Sequence, residues 1–84
     1  MNYMIICEDQ ETAAKAFQMA KRTAVGVALG CNNFRQIIFT RYNEYRFISK
    51  VEYQEKYERS TMYIFIDLKE FENEVLMKWS MGKE

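Results

Sequence analysis

Gln36-Ile37-Ile38-Phe39-Thr40-Arg41-Tyr42-Asn43-Glu44-Tyr45-Arg46-Phe47-Ile48-Ser49-Lys50-Val51-Glu52-Tyr53 is the stretch that decides the fold. Two β-rich runs, Gln36 to Arg41 and Tyr45 to Tyr53, flank a short link. Ile37, Ile38, Phe39 and Thr40 are β-branched or aromatic, the types that pack well on a pleated surface. The second run alternates. Tyr45, Phe47, Ser49, Val51 and Tyr53 fall on one face, and Arg46, Ile48, Lys50 and Glu52 on the other, as in a strand with one solvated side. The link Tyr42-Asn43-Glu44 is short enough for a hairpin, and Asn43 tolerates left-handed backbone. A three-residue loop pairs Phe39 with Phe47 and Ile38 with Ile48. A two-residue loop sets Arg41 opposite Arg46, and like charges directly opposite destabilise a sheet, so the first register is expected.

Working outward, Tyr3 to Cys7 is a short apolar run that reads as a buried strand. Asp9 is placed to cap a helix, with Glu11 in its first turn favouring the dipole. Gln10 to Leu29 is rich in helix formers, and Ala13, Phe17, Ala20, Ala24 and Val27 form one apolar stripe. Gly26 weakens its end, near Val25, and Gly30 with Asn32 and Asn33 reads as a stop and loop. Past the hairpin, the polar stretch Gln54 to Ser60 reads as a solvated loop. Thr61 to Asp67 is a strand with Met62, Ile64 and Ile66 on one face and Tyr63 and Phe65 on the other. Asp67-Leu68-Lys69-Glu70 has capping-box spacing, and Phe71, Val75 and Trp79 mark a helix to about Met81. The expected order is β-α-β-β-β-α: one α+β domain over 1–84, its antiparallel sheet packed by helices on one face.

Composition excludes more than it assigns. The 84 residues are 49% hydrophobic with zero net charge, the profile of a folded rather than a disordered chain. There is no histidine, which removes imidazole-based catalysis and the commonest transition-metal ligand. Cys7 and Cys31 are too few for a zinc site or a disulfide framework. Gly26, Gly30 and Gly82 fit no phosphate loop. No catalytic residue, metal, cofactor or small-molecule substrate is therefore expected. No apolar run approaches the roughly 20 residues of a membrane span, and the amino terminus lacks a basic flank. The cytoplasm is the expected compartment, with no membrane association. Cys7 reads as an inert core thiol, and Cys31 as a loop residue.

Charge is unevenly spread. Residues 21–59 hold eight Lys or Arg against four Glu, and both flanking segments are net acidic. Arg41, Tyr42, Tyr45, Arg46, Lys50 and Arg59 interleave rings with cations across the hairpin, a pattern able to stack single-stranded bases and hold phosphates. Single-stranded RNA binding is one reading. The layout from Gln10 onward resembles double-stranded-RNA-binding domains in topology alone. Those domains open the last helix with a basic cluster, whereas Asp67, Glu70, Glu72 and Glu74 open this one and would repel a phosphate backbone, so the family is not adopted.

The other reading starts from the apolar surplus of six methionines and thirteen aromatics. A sheet covered on one face leaves bulky groups outside, and such patches mark protein interfaces. Tyr63, Phe65, Trp79, Met77 and Met81 are the expected contacts. The leading expectation is a non-enzymatic interaction module, a homodimer or a small protein that docks on a larger one, with self-association expected. In style it suggests a phage or mobile-element inhibitor of host or defence machinery.

Overall fold

The structure, a computed structural model, describes residues 1–84. The elements are β1 (Asn2–Cys7), α1 (Gln10–Thr23), β2 (Ala28–Asn32), β3 (Ile37–Thr40), β4 (Glu44–Ser49), α2 (residues 50–57), β5 (Ile64–Asp67) and α3 (residues 68–80). A short 3-10 turn, Ala24–Gly26, extends α1. The fold is α+β with three helices, and its five strands lie in the order β2-β3-β4-β1-β5. The sheet is mixed, not antiparallel as expected. β1 sits between β4 and β5 and runs parallel to both, while β3 is antiparallel to β2 and β4. β4 and β5 are parallel strands on either side of β1, and the α2 segment supplies the crossover that joins them.

One face of the sheet carries α1 and α3. Asp9 Oδ1 accepts from the Thr12 N–H at 2.7 Å and caps α1. The predicted stripe then turns inward: Ala13, Phe17, Ala20 and Ala24 are buried. Asp67 Oδ1 accepts from the Glu70 N–H at 2.7 Å and caps α3, which buries Phe71 and Trp79. These side chains meet Ile5, Cys7, Ile38, Tyr45, Phe47 and Ile66 in the main core. Phe47 lies edge-on to both Phe17 and Phe71, at 6.0 and 5.1 Å between ring centres.

The opposite face is not open. The strand expected to reach Tyr53 ends at Ser49, whose Oγ accepts from the Glu52 N–H at 3.1 Å and starts α2. The stretch expected as a loop from Gln54 is mostly this helix, which takes a π-helical turn over Tyr53–Tyr57. Its polar residues face solvent while Tyr53 and Tyr57 turn to the sheet. Tyr53 packs on Phe65 at 5.0 Å and Tyr57 on Tyr63 at 5.6 Å. Met4 and Ile48 are buried on this face.

Two further expectations are corrected. Gly30-Cys31-Asn32 is not a loop but part of the edge strand β2, paired with β3. The β3–β4 hairpin closes on a two-residue turn, Arg41-Tyr42, between Thr40 and Asn43, with Ile38 opposite Tyr45 and Ile37 opposite Arg46. Thr40 and Asn43 lock this turn by a backbone bond of 2.9 Å and by the Thr40 hydroxyl, which accepts from the Asn43 N–H at 3.1 Å. Relative to the expected pairing the register slides by an odd number of residues, so opposing faces swap. Ile38, Tyr45 and Phe47 now share the core side, and Arg46 stands opposite Ile37.

Candidate functional site

The residues singled out from sequence scatter. Trp79 is only 1% exposed and belongs to the core, not to an interface. Tyr63 and Phe65 are half-buried beneath α2. Met77 on α3 and Met81 at its C-terminal cap are exposed. Tyr45 is buried, stacked on Tyr3 at 5.2 Å and edge-on to Trp79 at 4.9 Å, so its ring is not offered to a base. Its hydroxyl accepts from Asn43 Nδ2 at 3.1 Å and donates to Glu84 Oε2 at 3.3 Å; burial, the larger cause, raises its pKa. Arg46 is half-buried on the α2 side. Arg41 and Tyr42 form the hairpin turn, Lys50 begins α2 at the opposite end of β4, and Arg59 follows α2. These residues therefore do not make one surface.

What the topology does gather is apolar. β1, β4 and β5 run parallel, so all three begin at the end of the sheet that carries the β3–β4 turn. There the Glu44 N–H donates to the Met1 carbonyl at 2.9 Å, and the terminal ammonium donates to the Tyr42 carbonyl at 3.2 Å. β2 begins here too, with Ala28 opposite Thr40 and Leu29 at an irregularity in the pairing. A Cβ on Gly26 would stand 3.4 Å from Gly82 Cα, so Val25 and Met81 flank a contact between the α1 and α3 termini. Glu84 reaches the turn itself, accepting from the Thr40 hydroxyl and from Asn43 Nδ2.

Of twelve exposed large apolar side chains, eight belong to segments that meet at this end, spread over both faces and from edge strand β2 to edge strand β5: Met1, Val25, Leu29, Phe39, Tyr42, Met62, Ile64 and Met81. Leu29 and Val25 are 76% and 82% exposed. Arg41 adds a cation, its guanidinium 5.3 Å from the Tyr42 ring centre. Of the residues predicted as interface, Met81 is exposed here, while Tyr63, between Met62 and Ile64, turns its ring under α2. The remainder come from separate segments, and no local spacing marks them; only the parallel placement of β1 brings their ends together.

Burial pushes the Cys7 thiol up to about 11, with the Glu72 and Asp9 carboxylates adding to the effect. Cys31 is exposed on β2. The Thr12 backbone N–H holds the Asp9 carboxyl below its ordinary value. No helix is long and apolar enough to cross a membrane. Comparisons with protein-family models, with curated proteins and with solved structures find no match to this chain.

Proposed function

We propose that the chain is a non-enzymatic interaction module that docks protein through its turn end, a second copy of itself being the first occupant. The observation that carries this is the collection of eight exposed apolar side chains at one end of the sheet. Exposed apolar surface favours association, because covering it removes it from water. Leu29 and Met81, both well exposed, can be changed without disturbing the core. Sedimentation velocity is the test. Wild type is expected to sediment as a dimer, and the Leu29→Asp, Met81→Asp double variant as a monomer with an unchanged melting temperature. An apolar contact near the centre of such an interface contributes about 2 kcal/mol. A wild type that stays monomeric as concentration is raised removes self-association. Single-stranded RNA binding, the alternative, would rest on Arg41, Tyr42, Arg46, Lys50 and Arg59, which are divided between the two ends of the sheet.

A further inference from the structure

At the other end of the sheet, where β1 and β4 finish and β3 begins, a cleft of about 430 Å³ lies between α2, the β2–β3 loop and the start of α1. Its volume is within the roughly 300–1,000 Å³ range of small-molecule sites. Arg35, Arg46 and Lys56 line it against one carboxylate, Glu52. None of the three is ion-paired: the protein's one ion pair within 4.0 Å joins Lys15 to Glu11. Arg46 is the half-buried cation of the three. Its Nη1 donates to the Tyr57 hydroxyl at 3.2 Å, its guanidinium lies 5.7 Å from the Tyr63 ring centre, and its Nε is buried with no partner.

A half-buried guanidinium without a carboxylate has lost water and gained no counter-charge, and a bound anion supplies what is missing. Arginine's planar fork fits phosphate oxygens in pairs. Phe34, 94% exposed, stands on the same cleft. An unpacked ring beside a cationic site offers a stacking surface to a flat base. We infer that this cleft binds a nucleoside phosphate, with the phosphate held by Arg46, Arg35 and Lys56 and the base laid on Phe34. The site is independent of docking at the turn end and uses different residues.

Isothermal titration calorimetry on the full chain tests this with three probes: adenosine monophosphate, inorganic phosphate and a single-stranded oligouridine. Adenosine monophosphate is expected to bind one-to-one. Lys56→Gln and Arg35→Gln, both at exposed positions, are each expected to weaken it several-fold, and Arg46→Gln to abolish it. Phe34→Ala should weaken adenosine monophosphate about tenfold and leave inorganic phosphate unchanged. Tighter, strongly salt-dependent binding of the strand identifies the phosphate as that of a nucleic acid, whereas binding of the mononucleotide alone identifies a free nucleotide. Either result supports the site. No heat with any probe, or binding that Lys56→Gln and Phe34→Ala leave untouched, overturns it.

Discussion

Trp79 and Met77 lie two residues apart on α3 and have opposite roles. The indole touches Tyr45 and Phe71, at 4.9 and 5.4 Å between ring centres, while the methionine is 58% exposed. Trp79→Ala is therefore expected to cost about 4 kcal/mol in chemical denaturation. Met77→Ala should stay within about 0.5 kcal/mol, since its side chain lies mostly outside the core. Cys7 gives a second residue-scale test. With its thiol raised to about 11 from an ordinary 9.0, the unfolded chain loses this proton first as pH rises. The contribution is fully present below 9.0 and is lost as pH climbs to about 11, so wild type should lose stability relative to Cys7→Ala across that window. Below it, a thiol reagent should label Cys31 in the native protein and reach Cys7 only after unfolding. Equal labelling of both in native protein would contradict this burial.

Among the elements, α2 was the least legible in sequence and α1 the most. The spacing of Ala13, Phe17, Ala20 and Ala24 states both the helix and its buried side, and Asp9 states where it starts. Residues 45–53 alternate with equal clarity, yet the alternation outlasts the strand. Ser49 is read by its position in that pattern, while its hydroxyl already belongs to the next helix as a cap. Composition hid the rest of α2, because a short helix on a sheet needs only two inward rings, here Tyr53 and Tyr57, among solvated charges. Ser49→Ala should lower stability by about 1 kcal/mol through loss of the cap, read as a shift in the denaturation midpoint. α3 shows a related effect. Phe71, Val75 and Trp79 repeat every four residues, a spacing that overshoots a 3.6-residue turn by about 40° each time. The wider π-helical turn at Glu72–Leu76 takes up that drift and keeps the rings aimed at the sheet.

The whole molecule has two unlike ends. The starts of the parallel strands carry exposed apolar side chains, and the finish of β4 borders a cationic cleft. Neither end was legible in sequence, because each is assembled from segments that meet only after strand order is set. The hairpin pattern and the two outer helices fixed the class of fold; nothing local says that the first strand lies between the fourth and the fifth. That placement governs how the chain finds its shape. Ile5 pairs with Phe47 on one side and with Ile66 on the other, so its partners lie half a chain length or more away. Closing loops that long is entropically slow, and contacts of this range hold back folding rates. The three-strand meander can zip locally, leaving the hydrophobic amino-terminal ribbon waiting for both its neighbours. Until they arrive, that ribbon is the sticky end of an unfinished sheet, and it is the segment a chaperone would have most reason to hold.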